Sequence, residues 1–298
     1  MILCDTHCDT LWKLAKGETD LDVSPEKMLK GGVTLQTMAM FTAPKGPESD
    51  AVGNAQKELA AFHALRDHGM RTVNDPCEVK DGDCAMMLSV EGAEPFGDSL
   101  EKIDEYRREG VRMVALTWNY ENAIGFPAKD GTSNGLKPFG LKAVRRMQDL
   151  GMAIDVSHLN EAGFYDLFYK TNKVPLASHS CVAKLCPHFR NLTDEQLKLM
   201  IRGGGYIGVN FYASFLSPDN KADADTIVDH IDYICQMGGS DCVGLGSDFD
   251  GISLYPDNVR DCTQTHVILD TMRRRGFDEE TIEKVAGKNL LRYYAALK

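Results

Sequence analysis

Short apolar runs rich in β-branched residues recur along the chain, and longer stretches with helical spacing lie between most of them. The runs are Ile2–Thr6, Val33–Phe41, Cys84–Val90, Val111–Thr117, Met152–Ser157, Val174–Ser178, Tyr206–Phe211 and Cys242–Ser247. Each is 5 to 9 residues long and apolar nearly throughout, the pattern of strands buried on both faces. The intervening stretches carry helix punctuation. Ala51–Gly69 has Leu59, Phe62 and Leu65 at helical spacing and ends on a glycine suited to a C-terminal cap. Pro138–Leu150 opens on proline and stops at Gly151. Thr193–Ile201 places Gln196 three residues after Thr193, a capping box ahead of Gly203-Gly204-Gly205. Asp225–Met237 stops at Gly238-Gly239. The stretch from Gln36 to Asp50 lacks a helix pattern and reads as a loop overlapping the end of the second strand, and the tail from Cys262 to Lys298 reads as two or three closing helices.

Eight such strands alternating with helices predict a (β/α)8 TIM barrel with C-terminal closing helices, residues 1–298 forming one domain. The structural rival is an open, doubly wound sheet. That fold normally places a glycine-rich phosphate turn after its first strand, and here His7-Cys8-Asp9 follows instead. In a barrel the chemistry gathers at the C-terminal ends of the strands. Those positions hold His7 and Asp9 after the first strand, Glu91 after the third, His158 after the fifth, His179 after the sixth, and Asp248 and Asp250 after the eighth.

His7 and Asp9, two apart in an extended backbone, point the same way and can grip one metal, while Cys8 faces away as a packing residue. Glu91 has two oxygens and can bridge two ions. Imidazoles at the ends of neighbouring strands, as at His158 and His179, lie about 5 Å apart at the backbone and can converge on one ion. Asp248 beside such metals is the acid/base candidate. It points with Asp250 if the segment stays extended, although Gly251 signals a turn that Asp250 would cap. The glycines of Gly244-Leu245-Gly246 suit close backbone approach rather than phosphate binding. His63, His68, His188, His230 and His266 fall in helical or loop patterns and are read as structural or surface residues.

Composition narrows the function. Hydrophobic residues at 43% and charged residues at 26% describe an ordinary globular chain. The net charge of −11, from 33 basic and 44 acidic residues, argues against nucleic-acid or anionic-membrane surfaces, which need clustered Lys and Arg. Arg273-Arg274-Arg275 suits the C-terminal end of a helix. The start Met1-Ile2-Leu3-Cys4 has no secretory pattern, and no apolar run spans a bilayer. The nine cysteines are therefore read as reduced thiols of a cytoplasmic protein.

In order and spacing, Asp5-Thr6-His7-Cys8-Asp9, Ser89-Val90-Glu91-Gly92, Gly135-Leu136-Lys137-Pro138-Phe139-Gly140, Ile154-Asp155-Val156-Ser157-His158, Ser178-His179-Ser180, Arg190-Asn191, Val209-Asn210-Phe211-Tyr212 and Ser247-Asp248-Phe249-Asp250-Gly251 together resemble the membrane (renal) dipeptidase family of binuclear zinc peptidases, from Leu3 to Tyr294. The chain looks like a soluble, bacterial-type member. The resemblance implies that His7, Asp9 and Glu91 hold one Zn2+, and that Glu91, His158 and His179 hold a second, with Glu91 bridging. It implies that Arg190 and Tyr212 bind the substrate's terminal carboxylate and that Asp248 shuttles protons. Trp118 stands where many relatives have a histidine that contacts the substrate and the developing oxyanion. Tryptophan offers one N–H and no positive charge, so Trp118, or Asn119 beside it, takes over that contact or the substrate differs.

The expected activity is hydrolysis of a dipeptide's amide bond by a hydroxide bridging two zinc ions, with a homodimer left open. Mn or Co would fit the same ligand set. The alternatives are the same site acting on another amide or lactam, such as an N-acyl amino acid, and a barrel that binds metal without turnover.

Overall fold

The computed structural model describes residues 1–42 and 49–297. Among the described residues nine parallel strands form, β1 (Cys4–Asp5), β2 (Leu35–Phe41), β3 (Arg71–Thr72), β4 (Ala85–Glu91), β5 (Val111–Ala115), β6 (Ala153–Asp155), β7 (Leu176–Ala177), β8 (Tyr206–Val209) and β9 (Val243–Leu245). Eight of them close a ring in the order β1, β2, β4, β5, β6, β7, β8, β9, with β9 returning to β1 and the long β2–β4 pairing sealing the circle. This is the (β/α)8 barrel that the apolar runs predict.

The remaining strand, β3, pairs only with β4, outside the ring. Its two half-exposed to exposed residues are too few to print a pattern on the sequence. The ring strands are mostly shorter than their apolar runs, because the residues beyond them turn over the rim while keeping some ladder bonds. Cys8 N–H still donates to Thr37 O, and Asp9 N–H to Phe249 O. The loop expected over Gln36–Asp50 begins later than the sequence suggests, since residues as far as Phe41 are strand; residues 43–48 lie outside the described part.

The helices form where their punctuation stands. Ala51–Asp67 ends ahead of Gly69, which takes a φ of 96°. Pro138–Asp149 stops before Gly151 at φ 67°. Asp194–Gly203 carries the reciprocal Thr193–Gln196 capping box. After His266–Arg274, the chain runs through Glu279–Glu283 and Lys284–Lys288 into Asn289–Leu297. Among the described residues no helix is long and apolar enough to cross a membrane.

Strand alternation divides the core in two. On β4, Met86, Leu88 and Val90 pack outward against the helices, whereas Ala85 and Met87 join Cys4, Leu35, Met113, Ala153, Leu176 and Tyr206 in a second cluster closed by Leu290, Tyr293 and Tyr294 of the last helix. That cluster plugs the N-terminal end of the barrel. Higher in the interior the strands approach closely. A Cβ on Gly246 would sit 1.8 Å from Ser178 O, so this glycine serves backbone approach, as its sequence context suggests, and one on Gly208 would sit 2.2 Å from the same atom.

Candidate metal centre

The C-terminal rim gathers the strand-end residues. His7, Asp9, Glu91, His158 and His179 are all buried, and the Asp248 side chain is 14% exposed. His158 Nε2 lies 3.0 Å from Glu91 Oε1, His179 Nε2 3.5 Å and His7 Nε2 3.8 Å. His7 Nε2 is also 3.7 Å from Asp9 Oδ1 and 3.7 Å from Asp248 Oδ1. Three overlapping groups, His7/Asp9/Glu91, Glu91/His158/His179 and His7/His179/Asp248, each bring their ligand atoms within 4.8 Å of one another.

Local backbone geometry makes this convergence work. His158, Asp248 and Asp250 adopt left-handed φ values of 68°, 66° and 66°, uncommon for residues with a Cβ and characteristic of constrained functional turns. The same geometry separates the two aspartates that an extended chain would align. Asp248 turns into the cluster, where its Oδ2 accepts from Asn210 Nδ2 at 2.9 Å. Asp250 turns away, pairing with Lys13 at 2.9 Å and accepting from Thr10 Oγ1 and the Asp22 backbone N–H. It anchors the turn. Cys8 also points away from the cluster, its Sγ 3.3 Å from Met38 Sδ.

Beneath the rim, buried polar residues orient the candidate ligands. His179 Nδ1 donates to Ser178 Oγ at 2.7 Å, and Ser178 Oγ donates to Asp155 Oδ2. Asp155 Oδ1 accepts the backbone N–H of both Ser157 and Ser178 at 2.9 Å. His158 Nδ1 donates to Asn119 Oδ1 at 3.0 Å. Asp5 plays the matching part under His7 and Asp248, accepting from Ser247 N–H at 2.9 Å. These supports escaped the sequence reading of the site. The one available signal was an acid inside an otherwise apolar strand, as at Asp155.

With their Nδ1 protons engaged, His158 and His179 present bare Nε2 lone pairs to each other at 3.1 Å and to Glu91. Both ring nitrogens of His7 and Asp9 Oδ1 are buried without any hydrogen-bond partner among the described residues. Burial and then neighbouring carboxylates push Asp9 and Glu91 well above the usual carboxylate range. Burial pushes Asp248 up to about 6 and, with the charge of Arg190, His7 down to about 3. It drives His158 and His179 in the same direction as His7. Crowded carboxylates, neutral imidazoles and orphaned ligand atoms together make a site that fits divalent cations.

A cavity of about 340 Å3 opens over the cluster, lined in part by Trp118, Asn119, Tyr212 and Phe215. Arg190 is buried beside it. Its Nη2 donates to His179 O at 3.2 Å, its Nε has no partner, and its guanidinium carbon lies 5.5 Å from the centre of the Phe215 ring. Of the histidines read as structural, His230 accepts from Val182 N–H and donates to Leu216 O deep in the core.

The architecture has counterparts among known proteins. A crystal structure of a metallo peptidase from Rhodobacter sphaeroides, liganded with a phosphinate mimic of the dipeptide L-Ala-D-Ala, superposes with a TM-score of 0.92 at 24% identity, covering 100% of this chain and 99% of its own. The probable dipeptidase PvdM from Pseudomonas aeruginosa superposes with a TM-score of 0.91 at 22% identity, over 100% of this chain and 95% of its own. An uncharacterized protein in the pqqA 5'region of Klebsiella pneumoniae is 38% identical over 218 residues, 70% of this chain and 80% of its own. The family model described as membrane dipeptidase (peptidase family M19) matches residues 1–297, and the chain therefore belongs to that family.

Proposed function

We propose that the protein is a binuclear zinc dipeptidase, in which His7, Asp9 and Glu91 hold one cation and Glu91, His158 and His179 the other. The observation that carries this reading is the sharing of Glu91 between two groups of ligand atoms, each drawn within 4.8 Å. Nitrogen and carboxylate donors suit zinc. When bound, the two ions supply Lewis acidity at the scissile carbonyl and lower the pKa of the attacking water.

The chain's own residues do the rest. Asp248 accepts the proton of the attacking water and returns it to the leaving amine. It is held for that role by Asn210. Arg190 receives the substrate's terminal carboxylate, which gives its buried Nε the partner it lacks among the described residues, and Tyr212 lines the cavity beside it. Trp118 lines the cavity and stands in place of the family histidine, and Asn119 holds the His158 ring.

Because Arg190 reads a carboxylate one residue past the scissile bond, the site limits substrate length. Metal analysis combined with a dipeptide panel, including D-residues at the C-terminal position, tests the whole reading. Two zinc ions per chain and turnover of dipeptides are expected, with tripeptides and C-terminally amidated dipeptides resistant. Efficient cleavage of amidated dipeptides would sink the Arg190 assignment. Turnover confined to N-acyl amino acids would replace dipeptides as the substrate class.

A further inference from the structure

Four half-buried aromatic rings stand in a row along one side of the rim. Trp12 meets Phe41 edge-on, with centroids 5.4 Å apart and planes at 86°. Phe41 meets Trp118 at 4.7 Å and 69°, and Trp118 continues to Tyr120 at 5.6 Å. Trp12, Phe41 and Trp118 line the cavity over the metal cluster. They come from the segments that follow β1 and β5 and from the last residue of β2.

Their place in the ring decides what they can touch. In the closed order β1, β2, β4, β5, β6, β7, β8, β9, strand β2 lies diametrically opposite β7. Arg190 hangs over β7, bonded to His179 O, and Tyr212 follows β8. Resting on the dipeptidase reading above, a substrate whose carboxylate sits at Arg190 crosses the ligand cluster and delivers its N-terminal residue to the aromatic row.

We infer that the Trp12–Phe41–Trp118 wall is the pocket for the N-terminal side chain, and that it selects dipeptides beginning with a large apolar residue, aromatic ones above all. Another ring or a branched alkyl chain packed from the cavity against these rings buries apolar surface, and a ring adds favourable edge or face geometry. Charge points the same way. Lys16 Nζ already lies over Trp12, 4.9 Å from the ring centroid, and Lys13 neutralises Asp250. Asp9, Glu91 and Asp248 are committed to the cations and the proton. No unopposed charge among these groups is left to draw a charged side chain.

The test is a kcat/KM series on the zinc-loaded enzyme with Phe-Ala, Leu-Ala, Ala-Ala, Asp-Ala and Lys-Ala, each with L- and D-alanine. Phe-Ala is expected to exceed Ala-Ala by about tenfold or more, carried mainly by KM, as for side chains discriminated in an apolar pocket. In Phe41→Ala the ratio should fall below about threefold with two zinc ions per chain retained; Trp12→Leu serves as the second variant if Phe41→Ala does not fold. A lead for Ala-Ala, Asp-Ala or Lys-Ala, or a ratio unmoved in the variants, overturns the pocket and leaves the dipeptidase reading standing. Absence of turnover on every dipeptide overturns that reading itself, and the pocket with it.

Discussion

The two ends of the barrel are built from the same strands and could hardly differ more. At the N-terminal end, Cys4, Leu35, Met87, Met113, Ala153, Leu176 and Tyr206 pack under the last helix as a buried plug. At the other end, only four residues beyond Met87, Glu91 shares a space with His7, Asp9, His158, His179 and Asp248. There the backbone takes left-handed turns at residues with side chains, and ligand atoms lie buried without partners. The rim alone would not hold these arrangements, because clustered carboxylates and forced turns each cost free energy. Apolar burial at the lower end, and on the helices outside, offsets that cost. Stability and chemistry are thus segregated along the strand axis.

The largest effect expected from this division belongs to Asp248→Asn. Asparagine keeps the shape, keeps a side chain that tolerates a left-handed φ, and removes the proposed base. Dipeptide kcat/KM should fall by about 10²–10⁴, while the melting temperature of the zinc-loaded protein stays level or rises, since one crowded carboxylate is gone. A normal rate would remove Asp248 from proton transfer. At the opposite end, Leu176→Ala should lower stability in urea by about 2–5 kcal/mol and leave kcat of the folded enzyme nearly unchanged. A tenfold loss of kcat there would show that the two ends are not separable.

A smaller effect is expected behind the rim, at Glu58. Its Oε2 accepts Phe41 N–H at 2.8 Å, its Oε1 has no partner among the described residues, and burial pushes the carboxyl up to about 9. Between the unfolded value near 4.5 and the folded value of about 9, the folded state holds a proton that the unfolded chain has lost. Stability contributed by this group is therefore complete below the window and declines as pH rises through it. Glu58→Gln carries no such dependence. Its stability relative to the unaltered protein should rise between pH 5 and pH 8 by an amount on the order of 3 kcal/mol. Urea titrations at the two pH values measure it, and a constant difference would mean that Glu58 is ionised in the fold.

The same division explains what the sequence made legible. Strands buried on both faces must be apolar throughout, so the ring announced itself in eight runs, and polar residues closing those runs marked the rim. The two-residue β3 left no such trace. The left-handed backbone at His158, Asp248 and Asp250 carries no glycine to mark it; Gly251 signals the turn that Asp250 caps, but not that the turn sends Asp248 and Asp250 apart. The meeting of Phe41 with Trp118 depends on ring closure between residues far apart in sequence, which no local pattern encodes. Ser178 looked like a neighbour of a ligand, and its hydroxyl turns out to carry the contact between Asp155 and His179.

That serine sits where the two ends meet, two residues after Leu176 and one before His179, and it offers the finest cut between them. Its hydroxyl accepts from His179 Nδ1 and donates to Asp155, fixing the tautomer that leaves Nε2 free. Ser178→Ala removes both bonds and keeps the strand. Supports of this kind typically govern 10–100-fold in metal affinity, so zinc competition against a chelator should show a loss in that range. Activity should recover when zinc is raised to saturation, because the ligand itself remains. If the loss persists at saturating zinc, the imidazole has left its place, and Ser178 is part of the barrel's packing as much as of its chemistry. If neither affinity nor rate moves, the buried Asp155 does not act through His179, and orientation of that ligand must come from the Ser157 hydroxyl, which accepts the His179 backbone N–H at 3.1 Å.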